Sequence, residues 1–173
     1  LHGEYDLILS PLVGEHSQLI NRPLFKEPLK FVIPSDHPLA GNAFVKPHQL
    51  RGEKVLTLED RHHFHHQVQH ICDKIGASLQ RDYEGTSLDT LRQMVVMGMG
   101  VAFLPGLYIH SELHHPEALH VCEIDSMPIE RQHALTWRNT APDRQTFREI
   151  SEIIRHIIAT RLSGAVKIVG LDD

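Results

Sequence analysis

Residues 86–105 read TSLDTLRQMVVMGMGVAFLP, and this stretch decides the fold of the chain. Thr86 and Ser87 form a helix-capping signal. The apolar residues that follow have the spacing of one helix face: Leu88, Leu91, Met94 and Val95. Gly98 ends this helix, because glycine adopts a left-handed turn at little cost. The apolar run from Val101 to Leu104 then predicts a buried strand, which Pro105 ends.

Apolar runs of strand length also occur elsewhere in the chain: Tyr5 to Leu9, Leu29 to Ile33, Val55 to Leu58, Leu119 to Ile124 and Ala134 to Trp137. A helix with one apolar face follows the third run and ends at Gly76. A longer helix begins near Asp143, with these apolar residues on one side: Phe147, Ile150, Ile153, Ile154, Ile157 and Ile158. Because strands and helices alternate, we predict an α/β fold with largely parallel pairing.

In such folds a ligand binds at the carboxyl ends of the strands, where the next helix begins. Four predicted loops satisfy this rule: Ser10-Pro11, Asp60 to Phe64, Gly85 to Ser87 and Leu104 to Gly106. The architecture therefore predicts a cleft for a small molecule, without indicating which one.

Composition limits the function further. The chain has 173 residues, of which 41% are hydrophobic, and a net charge of -5. No two Lys or Arg residues are adjacent, whereas a duplex-binding surface needs clustered cations. No stretch is apolar enough to cross a membrane. We therefore predict a globular, soluble, cytoplasmic chain that does not bind nucleic acid by itself, and its start at Leu1 suggests a fragment.

The histidine-rich segment from Arg61 to His70 has two interpretations. His62, His66 and His70 have the spacing of one helix face and could hold a metal ion. A solvated polar face is the simpler interpretation, and we favour it. We therefore predict neither a metal nor a cofactor.

The two cysteines are Cys72 and Cys122. Cys72 lies on the predicted apolar helix face, where a thiol is inert, although nearby histidines could activate it. We favour a structural role for both. The chain shows no motif of a nucleophilic enzyme and no phosphate-binding loop, so we do not expect an enzyme. Arg131 could pair with an anionic ligand, although an exposed arginine at a strand edge is commoner.

Five segments, in order, resemble the LysR-type transcription regulators. They are LHGEYDLI (1–8), PLFKEPL (23–29), SDHPLA (35–40), LTLED (56–60) and the helix-strand segment 86–105. The last two are close to the OxyR-like branch of the family, which responds to oxidative stress. The resemblance covers nearly the whole chain.

The resemblance implies a two-lobed sensor domain that is similar to periplasmic binding proteins of type 2 and truncated at its N-terminus. One lobe would comprise residues 1–28 and 136–173, and the other residues 29–135. A winged helix-turn-helix that binds promoter DNA is expected upstream. The implied partners are a small-molecule effector between the lobes, further copies in homodimers or homotetramers, and RNA polymerase.

The same resemblance shows a departure. OxyR-like sensors carry a reactive cysteine just after a histidine; here His62 matches the histidine, and His63 occupies the cysteine position. Cys72 matches the second cysteine of the pair. We therefore predict an effector-binding regulator, with redox regulation through Cys72 and a free-standing solute- or metal-binding protein as alternatives. The candidate effector contacts are Ser10, Pro11, His62, His63, Phe64, Thr86, Ser87, Leu104, Pro105 and Arg131.

Overall fold

The computed structural model describes residues 5–12, 14, 16–113 and 118–169. The strands are β1 (Leu7–Pro11), β2 (Leu19–Pro34), β3 (Phe44–Val45), β4 (Lys54–Leu56), β5 (Ser78–Leu79), β6 (Val101–Pro105), β7 (Leu119–Ile124), β8 (Glu130–Arg138) and β9 (Lys167–Ile168). The helices are α1 (His63–Ile75), α2 (Leu88–Val96), α3 (Gly106–Glu112) and α4 (Arg144–Arg161), with a 3-10 turn at Pro47–Leu50.

The chain divides into two compact units. Unit 1 comprises Leu1–Pro28 and Glu130–Asp173, and unit 2 comprises Leu29–Ile129. The sequence suggested a second division after Leu135, but the structure has it after Ile129. The reason is that β8 pairs along its whole length, from Glu130 to Arg138, with the unit 1 part of β2.

In unit 1, β8 lies between β1 and β2 and is antiparallel to both. Helix α4 begins directly after Asp143, as predicted, and packs on β8 through the ring pair Trp137 and Phe147, whose centroids are 5.9 Å apart. Among its apolar residues, Phe147 and Ile158 are buried, whereas Ile153 and Ile157 are exposed. The apolar side predicted for α4 is therefore only partly covered.

In unit 2, the strand order is β2, β6, β4 and β5, with β4 parallel to both of its neighbours. The core of this unit includes the buried faces of α1 and α2, which carry Val68, Ile71, Leu91 and Val95. Both faces of β6 are buried, because all five of its residues lie in the interior. This pattern explains the continuous apolar run that the sequence shows there.

The expectation of largely parallel pairing is wrong. Among the described strands, five of the eight pairs are antiparallel. Four of those five involve β2, which is long enough to pair in unit 1 through its first half and in unit 2 through its second half. The three parallel pairs are those of β4 with β5 and β6 and that of β3 with β7.

Gly100 allows β4 to approach the turn before β6. A Cβ at this position would lie 2.7 Å from the Lys54 carbonyl oxygen and 3.0 Å from Leu56 Cγ. We predict that Gly100→Ala lowers the free energy of unfolding by roughly 1–3 kcal/mol, the usual cost of overpacking. Urea denaturation measures this change in the free energy of unfolding. Gly164→Ala is the control, because no atom lies within 4 Å of a Cβ there. Equal stabilities for the two variants would contradict the prediction.

Candidate functional site

The parallel strands of unit 2 bring two helix starts to the same edge of its sheet. Beyond β4, Leu58 forms a parallel bridge with Gly85. The Gly85 N–H donates to the Thr57 carbonyl at 2.9 Å, and the Glu59 N–H donates to the Gly85 carbonyl at 3.2 Å. The chain continues from these bonds into α1 on one side and α2 on the other. We call residues 57–63 and 85–87 the helix-start edge.

His62 is the N-terminal cap residue of α1. Its backbone is extended, and its N–H donates to the Glu59 carbonyl at 3.0 Å. The ring makes no capping bond, and its Nε2 atom is buried without a hydrogen-bond partner among the described residues. His63, the first residue of the helix, is exposed. This edge therefore contains one buried imidazole nitrogen that no described residue bonds.

Ser87 caps α2. Its Oγ accepts from the Thr90 N–H at 3.1 Å, and its neighbour Thr86 is exposed. The first turns of α1 and α2 both present backbone N–H groups, and the helix dipole makes each start electropositive. Hydroxyl, imidazole and backbone N–H groups thus occur together at the helix-start edge. They suit a small anion or a small neutral molecule that accepts hydrogen bonds.

Two residues, one in this edge and one next to it, escaped the sequence analysis. His65 Nδ1 lies 2.9 Å from the Leu58 carbonyl oxygen and 3.9 Å from a Glu84 carboxylate oxygen, so this ring fastens α1 to the end of β4. Thr57 is fully buried, and its hydroxyl has no partner among the described residues. A polar residue inside the apolar run 55–58 was the available signal for Thr57.

Several candidate residues do not present their side chains for contact. Phe64 is 8% exposed, and Leu104 and Pro105 are buried residues of β6 instead of loop residues. Ser10 and Pro11 lie within β1 of unit 1, half-buried and paired with β8. The helix-start edge thus brings together His62, His63, Thr86 and Ser87 from the predicted set.

Arg131 has a structural partner. It lies within β8 opposite Glu27, with a side chain that is 14% exposed and a 2.6 Å bond to the Glu27 carboxylate. The Nε2 atom of buried His133 lies 2.7 Å from the same carboxylate oxygen, and its ring stacks on Phe25. The interpretation of Arg131 as an exposed strand-edge residue is therefore wrong, and its pairing with Glu27 argues against a contact with an anionic effector.

The histidines of α1 do not converge on a metal. No group of three or more His, Cys, Asp or Glu side chains in the described part of the chain could hold a metal ion. His66 and His70 are exposed, whereas the His62 ring is partly buried at the cap. The exposure of His66 and His70 agrees with the interpretation of the histidine-rich segment as a solvated polar face.

Both thiols are deeply buried. Burial raises the pKa of the Cys72 thiol to about 12, and the Asp73 carboxylate adds to that shift. Burial alone raises the pKa of Cys122 to about 11. Because the thiolate is the reactive form, both side chains are inert at neutral pH in the folded chain. This supports the structural role that the sequence indicated for each.

Comparison with known proteins gives the family. The model of the LysR substrate binding domain matches residues 1–158. The chain belongs to the LysR family. The LysR chain is 35% identical over 153 residues to the DNA-binding transcriptional dual regulator OxyR of Escherichia coli K12, covering 88% of this chain and 50% of that protein. It is 36% identical over 155 residues to a hydrogen peroxide-inducible genes activator of Pectobacterium carotovorum, with the same coverage of each chain.

Solved structures agree with this assignment. The reduced form of OxyR matches with a TM-score of 0.77 and 32% identity, over 90% of this chain and 72% of that one. A hydrogen-peroxide-bound mutant of Corynebacterium glutamicum OxyR matches with a TM-score of 0.83 and 26% identity, over 94% of this chain and 52% of that one. The predicted LysR family, OxyR-like branch and α/β fold are confirmed.

The LysR chain spans about half the length of the relatives that it matches. Those relatives are named as transcriptional regulators and gene activators. No helix in the described ranges is long and apolar enough to cross a membrane.

The pairing of Arg131 predicts a structural penalty. Arg131→Ala would leave the Glu27 carboxylate buried without its guanidinium, which costs about 3–5 kcal/mol of folding free energy. Arg138→Ala is the control, because the Arg138 pair with exposed Asp6 is worth under about 1 kcal/mol. Chemical denaturation of both variants measures the difference. A loss below about 1 kcal/mol for Arg131→Ala would show that Glu27 does not depend on this partner.

The raised thiol pKa values predict slow reaction of both thiols with a disulfide reagent. The raised pKa keeps each thiol protonated until the pH approaches 11 or 12, so reactivity at pH 8 is suppressed in the folded chain. We expect the native chain to react with a disulfide reagent at least about a hundredfold more slowly than the urea-unfolded chain. The absorbance of the thiol that the reagent releases measures both rates. Rapid reaction of one thiol in the native chain would contradict the prediction.

Proposed function

We propose that this chain is the effector-sensing domain of an OxyR-like transcription regulator and that its effector binds at the helix-start edge. The observation that supports this most directly is the His62 Nε2 atom. It is a buried polar atom without a partner among the described residues, beside the electropositive starts of α1 and α2. Leaving such an atom unpaired costs free energy, which a hydrogen-bonding ligand would recover.

The proposed effector is a small molecule that forms several hydrogen bonds. The His62 imidazole can donate or accept, and the exposed hydroxyl of Thr86 can do both. Ser87 Oγ accepts from the Thr90 N–H and lies 3.1 Å from Thr90 Oγ1, so its hydroxyl is largely engaged within α2. Hydrogen peroxide satisfies this description, and a similar OxyR is bound to it in its solved structure. A small carboxylate satisfies it too. Ser10 and Pro11 stay predictions from the sequence.

We propose that sensing occurs by reversible binding instead of by a disulfide switch. His63 at the first position of α1 cannot be oxidised to a sulfenic acid, and both cysteines are buried. Redox regulation through Cys72 would first require α1 to leave the core, because this thiol is 0% exposed. The burial of Cys72 therefore favours the effector-binding function over the redox alternative.

Regulation of promoters would involve the longer protein. We propose that DNA is bound by a region outside this chain, since its net charge is -5. Assembly into homodimers or homotetramers, contact with RNA polymerase, a cytoplasmic location and the absence of enzymatic activity are parts of the same proposal. The names of the relatives, a DNA-binding transcriptional regulator and a genes activator, support the binding of DNA by the longer protein.

The test of this function is ligand-dependent stabilisation that requires His62. We expect hydrogen peroxide or one of a panel of small carboxylates to raise the melting temperature of the chain, because a ligand that binds only the folded state stabilises it. His62→Ala should abolish that increase. His66→Ala is the matched control, because His66 is an exposed histidine on the same helix.

The outcomes are distinct. An increase that survives in His62→Ala would place the effector elsewhere. An increase lost equally in His66→Ala would indicate a nonspecific effect of histidine removal. The absence of an increase with every compound would contradict sensing of these ligand classes. Circular dichroism confirms that each variant is folded before binding is compared.

A further inference from the structure

Helix α1 carries two exposed histidines one turn apart, His66 and His70. Residues four positions apart on a helix lie on the same face, with Cβ atoms about 5–6 Å apart. A metal ion holds an imidazole nitrogen at about 2.0–2.1 Å, so two such nitrogens on one ion lie about 3 Å apart. The two rings can lean toward each other by that amount while the helix stays intact, so the spacing suits a shared ion.

The other histidines at the start of α1 are less suited to such a pair. His62 is the cap residue, with an extended backbone and a buried Nε2 atom. His65 Nδ1 lies 2.9 Å from the Leu58 carbonyl oxygen, and the His65 side chain is 15% exposed. His63 is exposed, but it is the first residue of the helix and lies three residues before His66. Within α1, the pair named first is the one that combines four-residue spacing with two exposed rings.

The ring nitrogens of this pair are not engaged elsewhere in the described part of the chain. The only recorded contact of either ring is that of His66, which lies edge-on to the His65 ring with centroids 5.6 Å apart. Asp73 and Lys74 follow His70 by three and four residues, and both are exposed. Their opposite charges largely cancel near the pair. Binding an ion would therefore displace water and break no bond of the fold.

We propose that His66 and His70 form an open chelating site for a divalent transition-metal ion. Imidazole nitrogens suit Cu²⁺, Ni²⁺ and Zn²⁺, whereas Mg²⁺ and Ca²⁺ take oxygen ligands. No group of three or more His, Cys, Asp or Glu side chains among the described residues could enclose an ion, so water would complete the coordination. The affinity should be higher for Cu²⁺ than for Ni²⁺ or Zn²⁺, which is the usual order for nitrogen ligands.

The bound ion would cross-link two successive turns of α1. The opposite face of the helix is already held in the core of unit 2, through Val68, Ile71 and Cys72. A ligand that binds the folded form stabilises it, so local opening of α1 would become rarer and its amides would exchange more slowly. This inference does not depend on the proposed effector. Effector assays in metal-free buffer do not detect the chelating site, so the two proposals fail separately.

Equilibrium dialysis of the untagged 173-residue chain against Ni²⁺ tests the site. His66→Ala and His70→Ala should each weaken the tightest binding roughly tenfold or more, because each removes one of the two coordinating nitrogens. The double variant should bind within about twofold of either single variant, because one substitution already destroys the chelate. His48→Ala is the matched control, since His48 is an exposed histidine outside α1, and it should leave the affinity unchanged. Zn²⁺ should compete with Ni²⁺, whereas Mg²⁺ should not.

Electron paramagnetic resonance of the Cu²⁺ complex counts the nitrogen ligands. We expect two imidazole nitrogens in the original chain and one in each single variant, and we expect Zn²⁺ to slow hydrogen exchange in α1 unless both histidines are replaced. Single variants that keep the Ni²⁺ affinity, or a loss of affinity in His48→Ala, would overturn the proposal. A third nitrogen ligand, or a loss of affinity in His63→Ala, would overturn the assignment to two ligands. Circular dichroism confirms that each variant keeps its helices.

Discussion

The short parallel contact between Leu58 and Gly85 determines where α1 and α2 begin relative to each other. Backbone bonds on both sides of it hold the chain after β4 against the chain before α2. Two helices that start 25 residues apart in sequence, at His63 and Leu88, therefore begin side by side. Unpaired N–H groups are inherent in a helix start, so the contact concentrates hydrogen-bond donors without any special residue. In the proposed sensor, the backbone would supply these donors, and the side chains of His62 and Thr86 would add selectivity.

Unit 1 contains a different constraint, a buried carboxylate. Glu27 is 1% exposed and accepts bonds from Arg131 and from His133. A buried charge is tolerated only where its partners are fixed, so β2 and β8 are held in one register at this point. The same strands connect the two units, at Pro28 and at Glu130. The Glu27–Arg131 ion pair thus fixes the register of β2 and β8 close to the two points where the chain passes between the units.

Local signals were sufficient for much of this fold. Gly76 and Gly98 end their helices with positive φ, and Ser87 caps α2, because each of these effects depends on near neighbours in sequence. Leu104 and Pro105 were predicted to lie in a loop, but both are buried residues of β6, because a single apolar run does not reveal where a strand ends. The pairing of Arg131 could not be predicted, because its partner Glu27 is 104 residues away in the sequence. Glu27 gave one usable signal, because Phe25, Glu27 and Leu29 occupy every second position and lie on the same, buried side of β2.

Position 63 holds an imidazole, which cannot form a disulfide, and this has a thermodynamic consequence for the proposed sensor. A disulfide preserves a signal after the oxidant has gone, whereas a bound effector acts only while it is present. Its effect is limited by its difference in affinity for two conformations; a nearly complete switch requires a ratio of about 10⁴. A buried polar atom such as His62 Nε2 would suit this task, because an atom that is unpaired in one state and paired in the other favours the second state. A sensor without an accessible thiol must therefore obtain its response from hydrogen bonds that form only in the bound conformation.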